Sequence, residues 1–267
     1  MTMLIGGNKP ADGDWELTEL GWIFSIAIVF LGLSAAVFGR WVEEGGPRRA
    51  MLTSALCWTG GFLISALGVY IHALWLIYIG YGVIGGIGLG IGYISPVSTL
   101  IKWFPDRPGM ATGMAIMGFG GGALIASPLS VWLLEKFSSA SYIGAAETFM
   151  VMGLIYFCFM ILGAVIVRIP PRGWAPEGYT PTTQPSALIT THNVFVYQAL
   201  RTPQFWLIWP ILCLNVTAGI GVLSQASAMS QEMFQVSAAT AAGVVGVFSL
   251  FNMLGRFIWS SVGLYWP

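Results

Sequence analysis

Six long and mostly apolar stretches of the sequence contain no Asp, Glu, Lys or Arg, and they constrain the fold more than any motif does. These stretches are 20–39, 50–101, 108–134, 148–167, 202–231 and 233–255. A helix that crosses the hydrocarbon core of a bilayer needs about 20 mostly apolar residues. Five of the stretches therefore fit one crossing each. The longest stretch fits two, with a break between Tyr70 and Trp75 around His72.

The composition excludes an ordinary soluble protein. Charged residues make up 8% of the chain and apolar residues 56%, whereas about 25% of a soluble domain is charged. So few polar side chains cannot cover a water-exposed surface. Lipid leaves unpaired backbone groups without partners, so the spans are expected to be helices. The sequence predicts an all-α, polytopic membrane protein with about seven transmembrane helices, over 20–40, 50–70, 75–100, 109–134, 147–168, 204–230 and 238–260.

The same features indicate which partners to expect. The net charge is zero and there is no basic stripe, so no nucleic-acid partner is predicted. Cys57, Cys158 and Cys213 all fall inside predicted spans, where they form neither a metal cluster nor a disulfide framework. No nucleophile stands beside a base. We therefore expect a lipid-embedded protein that is not an enzyme and holds no metal or cofactor; its oligomeric state is left open.

The basic residues predict the orientation of the spans, because Lys and Arg gather on the cytoplasmic side. Two of them, Lys9 and Lys136, fall on one side of the membrane. Nine fall on the other side: Arg40, Arg48, Arg49, Lys102, Arg107, Arg168, Arg172, Arg201 and Arg256. The second side is predicted to be cytoplasmic, which makes 1–19 an extracytoplasmic tail of a protein in the cell membrane. An outside start without a signal peptide, and a last span that runs straight into 263–267, suggest an incomplete piece of a larger membrane protein.

A proline-rich segment divides the chain. Five spans lie in 20–168 and two in 204–267, and the residues between them contain Pro170, Pro171, Pro176, Pro181, Pro185 and Pro203. Prolines at this density prevent a continuous helix. We predict that 169–203 is a cytoplasmic connector between two helical bundles, as in two-bundle transporters. A surface loop within a single bundle is the alternative.

Glycine is abundant, and its spacing favours close contact between helices. Small residues four positions apart let helix backbones approach in lipid. The spacing occurs at Gly82/Gly86/Gly90, Gly88/Gly92, Gly109/Gly113 and Gly118/Gly122. These stripes are expected either to pack tightly or to let helices slide past one another during a working cycle.

Three segments resemble a known family. Residues 39–49 resemble the loop between the second and third helices of major facilitator superfamily transporters. Residues 93–113, with Tyr93-Ile-Ser-Pro96 and Lys102-Trp-Phe-Pro-Asp-Arg107, resemble the oxalate/formate antiporter branch, as does 199–219. The resemblance implies twelve helices in two halves, of which the spans here are helices two to eight, with the C-terminal bundle truncated. The chain departs from the pattern at Glu44, where the family has a basic residue, and at 263–267.

One intramembrane charge points to the solute. Arg256 lies in the last span with Asn252 one turn before it. Placing an arginine in hydrocarbon costs about 2.5–3.5 kcal/mol, so such residues face a cavity or a partner. The planar guanidinium of Arg256 matches the geometry of a carboxylate. The resemblance implies that an arginine in the eighth helix contacts the substrate. The alternative is an arginine that snorkels to the nearby membrane surface.

The remaining candidates are polar groups that line the spans or lie at their ends. Tyr93 and Gln225 are predicted to line the substrate site with Asn252. A gate or latch is predicted at the cytoplasmic ends of the spans, with Glu43 paired to an arginine; positive-inside anchoring alone would explain the basic members but not Glu43. The predicted latch residues are Arg40, Glu43, Arg48, Arg49, Lys102, Asp106 and Arg107.

The leading hypothesis is a secondary carrier of small organic anions of the oxalate, formate or monocarboxylate type, working by alternating access. No Asp or Glu lies deep in a span, so anion exchange fits without a buried proton relay. One alternative is that this polypeptide is an inert piece of such a carrier. Another is a seven-helix receptor, although Asp-Arg-Tyr after the third span and Asn-Pro-x-x-Tyr in the seventh are both missing.

Overall fold

The computed structural model describes residues 15–139, 143–171, 173–179 and 195–262. These residues form helices and no strands. In chain order the helices are α1 (Leu17–Gly45), α2 (Pro47–Tyr70), α3 (Leu74–Ile77), a π-helical segment (Tyr78–Gly85), α4 (Gly86–Trp103), α5 (Pro108–Phe137), α6 (Ala145–Ile166), α7 (Val196–Ala199), α8 (Pro203–Phe234) and α9 (Ala238–Val262). The segments α3, π and α4 run together as one span, Leu74–Trp103.

Seven of these helical stretches are long and apolar enough to cross a membrane. The all-α, polytopic fold is therefore confirmed. The predicted break around His72 also lies where it was expected. Helix α2 ends at Tyr70, His72 adopts a left-handed conformation with φ of 55°, and α3 begins at Leu74.

The helices are longer than the uncharged stretches, which corrects the prediction of a loop over 40–49. Helix α1 continues to Gly45, and Gly46 alone separates it from α2. Gly46 has a φ of 79°, which a residue with a side chain rarely adopts, and Pro47 suits the first turn of the next helix. Charged residues end a membrane span but not a helix, because water accepts the charges while the backbone bonds continue.

Neighbouring helices pack in a defined order. Helix α1 packs on α4 and the π segment, α2 packs on α6 as well as on the π segment and α4, and α5 packs on α9. A buried cluster of Phe62, Leu133 and Met152 joins α2, α5 and α6, with aromatic side chains around it. Helix α8 packs on α9, and the most apolar part of α8 has none of its residues buried in the described structure. Its apolar surface is suited to lipid.

The first two glycine stripes are confirmed as sites of close packing. A Cβ added at Gly86 would lie 2.7 Å from the carbonyl oxygen of Ala27 and 2.9 Å from the Cβ of Phe30, both on α1. On the neighbouring face, a Cβ at Gly88 would lie 2.8 Å from the backbone nitrogen of Trp58 on α2. The span Leu74–Trp103 is therefore held between α1 and α2 by direct backbone approach.

The prediction that Gly118 and Gly122 pack against a neighbouring helix is wrong. A Cβ at either position would meet nothing within 4 Å. The packing glycines of this region are Gly120 and Gly121, which lie against Met253 and Arg256 of α9. Spacing alone identified the region but not the face, because either face of a glycine-rich helix can take the contact.

Part of the connector, with Arg172, Pro181 and Pro185, lies outside the described residues, as do Lys9 and most of the tail 1–19. Where the connector is described, its regular structure is the four-residue helix α7 and the first residue of α8. No long helix bridges the described parts of 169–203.

Substituting Gly86 by Ala tests this packing. The added methyl group would meet the α1 backbone, and overpacking of this kind costs about 1–3 kcal/mol. We expect Gly86→Ala to lower the thermal unfolding temperature of the purified chain in detergent. The matched control is Gly60→Ala in α2, where a Cβ meets nothing within 4 Å; there alanine should be neutral or stabilising by up to about 1 kcal/mol. Equal unfolding temperatures for the two variants would contradict the described packing.

Candidate functional site

Arg256 lies on α9 and its side chain turns toward the middle of the span. Its Nε–H donates a hydrogen bond to Oδ1 of Asn252, at 3.1 Å and one turn earlier in the helix. Both residues are half-buried. A snorkelling arginine would extend toward the nearer helix end at Val262. The observed direction is the opposite one, which favours a role inside the membrane.

An aromatic pair places Tyr93 near the same arginine. The guanidinium carbon of Arg256 lies 5.9 Å from the centre of the Phe119 ring on α5, within the range of a cation–π contact. The Phe119 ring in turn meets the Tyr93 ring of α4 edge-on at 5.4 Å. Three helices therefore contribute Arg256, Asn252, Phe119 and Tyr93 to one cluster, named here the arginine cluster.

Within the described residues, the arginine cluster has no counter-charge. A guanidinium carries five N–H donors, and the one hydrogen bond recorded for this one uses its Nε–H. The ion pairs found in the described structure are Arg40–Glu44, Lys102–Glu43 and Arg107–Asp106. An arginine inside a membrane without a carboxylate partner is suited to receive an anion.

The geometry adds one residue to the predicted site and leaves another apart from it. Phe119 was not predicted from the sequence, although an aromatic residue in the glycine-rich stretch 118–122 was a usable signal. Gln225 was predicted to line the site, and it lies exposed on α8.

Glu43 joins α1 to α4 at the end of the spans. Its Oε1 accepts a hydrogen bond from Ser98 at 2.6 Å and lies 3.4 Å from the Nζ of Lys102. The expected partner was an arginine, and this expectation is wrong. Arg40 lies one turn before Glu44 and pairs with that residue instead, at 2.7 Å, while Lys102 reaches Glu43 across the helix contact.

The other predicted latch residues make separate contacts. Arg48 donates from Nη2 to the carbonyl oxygen of Val165, which ties α2 to the end of α6. Arg107 pairs with its neighbour Asp106 at 3.6 Å. Arg49 is exposed at the start of α2. The seven predicted residues therefore form several contacts and not one network.

Two tryptophans, whose role was not predicted from the sequence, hold the start of the connector against the end of α4. The indole N–H of Trp103 donates to the carbonyl oxygen of Arg168 at 2.7 Å, and that of Trp174 donates to the carbonyl oxygen of Trp103 at 3.1 Å. The two rings meet at 5.2 Å. The connector therefore begins by folding back on the end of α4.

Two cavities bear on the choice of site. An open cavity of about 410 Å³ has Tyr93 of the arginine cluster in its wall, together with Glu43, Ser98 and Lys102. A larger cavity of about 490 Å³ lies among α1, α2, α5 and α6, with Phe62, Tyr81 and Tyr156 in its wall. Its lining contains no cation. We place the candidate anion site at the arginine cluster because recognition of a carboxylate requires positive charge.

The described residues contain no candidate metal site. No three His, Cys, Asp or Glu side chains in that part of the chain come together in a way that could hold an ion.

Three proteins similar to this chain are named as a transporter, an antiporter and a carrier. The chain is 26% identical over 255 residues to an uncharacterized MFS-type transporter of Escherichia coli, YhjX, with 96% of this chain and 59% of the relative covered. It is 30% identical over 243 residues to the oxalate:formate antiporter of Oxalobacter formigenes, with 90% and 53% covered. It is 24% identical over 300 residues to apicoplast pyruvate carrier 1 of Toxoplasma gondii, with 91% and 53% covered. The chain thus spans little more than half the length of these relatives.

The family assignment covers nearly the whole sequence. Residues 3–265 match the family model of the Major Facilitator Superfamily. Together with the seven apolar helices of the described residues, this match indicates an integral, multi-pass membrane protein. The chain belongs to the Major Facilitator Superfamily.

Proposed function

We propose that this protein takes part in secondary transport of small organic anions, of the oxalate, formate or monocarboxylate type, across the cell membrane by alternating access. The observation that carries the proposal is the intramembrane guanidinium of Arg256, which has no carboxylate partner in the described structure. The names of two relatives, an oxalate:formate antiporter and a pyruvate carrier, support an anionic solute.

Each member of the arginine cluster has a chemical role in this proposal. The terminal N–H groups of Arg256 bind a carboxylate as a planar fork. The Asn252 oxygen is already occupied by Arg256, so its amide N–H groups can donate to the solute. The hydroxyl of Tyr93 offers another donor, and the face of Phe119 covers the guanidinium. Gln225 is proposed to contact the solute only when α8 lies closer to the arginine cluster.

The residues at the cytoplasmic ends of the spans are proposed to hold one arrangement of the bundles. Glu43 joins α1 to α4 through Ser98 and Lys102, and Arg48 joins α2 to α6. Arg40, Arg49, Asp106 and Arg107 complete the charged surface there. These exposed ion pairs are individually weak, about 0–1 kcal/mol, which suits contacts that break and re-form during transport.

The proposed organisation keeps the boundaries predicted from the sequence: an extracytoplasmic tail at 1–19, five spans in 20–168, a cytoplasmic connector at 169–203 and two spans in 204–267. The alternative that this polypeptide is an inert part of a longer carrier predicts no transport by the chain as given. The receptor alternative finds no support in the family membership.

Replacing Arg256 tests the solute role. The chain is reconstituted in liposomes loaded with formate, and uptake of radiolabelled oxalate is measured. A charge-assisted hydrogen bond contributes about 1.5–3 kcal/mol, so we expect Arg256→Ala to reduce uptake by about tenfold to a hundredfold. Arg256→Lys keeps the positive charge but loses the planar guanidinium that binds a carboxylate through two N–H groups, so this variant should transport at an intermediate rate.

Arg201→Ala is the matched control, because Arg201 is an exposed connector arginine and its loss should leave uptake unchanged. Uptake by Arg256→Ala equal to that of the unmodified chain would contradict the proposed role. Background uptake by every form, including the unmodified chain, would favour the inert alternative.

The orientation is tested by labelling from one side of the membrane. In a background with Cys57, Cys158 and Cys213 replaced by Ser, a single cysteine is placed at Ser138 or at Glu177, both exposed. Intact cells are then treated with a membrane-impermeant maleimide. We expect the residue 138 cysteine to react and the residue 177 cysteine to react only after permeabilisation, since Lys and Arg favour the cytoplasm. The reverse pattern would show the opposite orientation.

A further inference from the structure

Helices α5 and α9 approach closely where Gly120 and Gly121 of α5 meet α9. A Cβ on Gly121 would lie 2.7 Å from the sulfur of Met253, and one on Gly120 would lie 3.3 Å from the backbone nitrogen of Met253. Ser249 of α9, which is only 2% exposed, donates from Oγ to the carbonyl oxygen of Gly120 at 2.6 Å. The backbone of α5 at Gly120 is therefore in contact with α9 and hydrogen-bonded to it.

The same glycine lies under the side chain of Arg256. A Cβ at Gly120 would be 3.1 Å from both Cδ and Nε of Arg256, which is tighter than ordinary van der Waals contact. The neighbouring residue Phe119 receives the guanidinium on its ring face. The arginine thus crosses α5 at Gly120, where no side chain blocks it, and its guanidinium lies over the Phe119 ring.

We propose that Gly120 and Ser249 are positioning residues for the anion site. Because Gly120 has no side chain, the side chain of Arg256 can lie across the α5 backbone at this position. The hydrogen bond from Ser249 to Gly120 fixes the position of α9 along α5. The role in solute binding rests on the proposed transport function, whereas the placement of the arginine can be tested without any solute.

The placement has a consequence for the working cycle. Helix α5 belongs to the first five spans and α9 to the last two, so the guanidinium lies at a contact between the two proposed bundles. A movement that separates α5 from α9 at Gly120 breaks two contacts of Arg256 together. One is the contact of its side chain with the Gly120 backbone, and the other is the contact of its guanidinium with the Phe119 ring. An anion that binds best when these contacts are present would favour the packed arrangement, because a ligand shifts a conformational equilibrium by its difference in affinity.

A double-mutant cycle tests the placement. The thermal unfolding temperature of the purified chain in detergent is measured for Gly120→Ala, for Arg256→Ala and for the double variant. If the added methyl group collides with the arginine, the loss caused by Gly120→Ala should be at least halved when residue 256 is Ala. Gly122→Ala is the matched control, since a Cβ there meets nothing within 4 Å; it should show no coupling to Arg256→Ala.

An equal loss in both backgrounds would overturn the placement, because it would show that the methyl group meets only the α9 backbone. If Gly120→Ala yields no folded protein, recovery of folded protein on adding Arg256→Ala supports the proposal. Failure to recover it contradicts the proposal.

Binding of oxalate to the purified chain tests the positioning role. Ser249→Ala removes the interhelix hydrogen bond, and we expect it to raise the Kd for oxalate about tenfold while the number of sites stays the same. Ser261→Ala is the control, because Ser261 bonds within α9 to the carbonyl oxygen of Phe257; its Kd should stay within about twofold of the unmodified chain. An unchanged Kd in Ser249→Ala would overturn the positioning role.

The double-mutant cycle and the oxalate-binding experiment together distinguish failure of the positioning proposal from failure of the transport proposal. Coupling between Gly120 and Arg256 in a chain that binds no oxalate would contradict the transport proposal and leave the placement standing. Oxalate binding without coupling, and without an effect of Ser249→Ala, would contradict the positioning proposal and leave the transport proposal standing.

Discussion

Lipid offers no hydrogen bond and no counter-charge, and this one constraint governs both the fold and the site. Backbone groups must bond within helices, so the long uncharged stretches become seven spans. Polar side chains inside the spans must find protein partners, and the buried serines do so: Ser54 donates to the carbonyl oxygen of Gly88 and Ser249 to that of Gly120. Arg256 differs from these serines, because the one hydrogen bond that its side chain makes in the described structure leaves its charge unpaired.

Close packing replaces the hydrophobic effect as the force between these helices. At Gly86 and Gly88 the span Leu74–Trp103 touches the backbones of α1 and α2, and at Gly120 and Gly121 helix α5 touches α9. The first contact lies within the five-span part of the chain, and the second joins the five-span part to the two-span part. Glycine therefore serves rigid packing in one place and, in the proposed mechanism, a contact that changes during transport in the other.

Much of the fold could be predicted from local sequence, and much of the site could not. The spans and the break at His72 follow from charge and hydropathy along the chain, and the packing role of Gly86 and Gly88 follows from the four-residue spacing of the glycines. Helix ends extended further than predicted, because charges stop a membrane crossing without stopping a helix. The pairing of Glu43 with Lys102 and the contact of Phe119 with Arg256 depend on which helices are neighbours. That information lies in the packing of distant segments, and a single sequence does not display it.

Arg256 is the group on which the proposed binding of an anion depends most. The direct measurement is a structure of the chain in a lipid nanodisc, determined with and without oxalate. We expect oxalate to add density between the guanidinium of Arg256 and the side chains of Asn252 and Tyr93. Density for oxalate elsewhere, with the arginine extended to the membrane surface, would contradict the proposed role of Arg256.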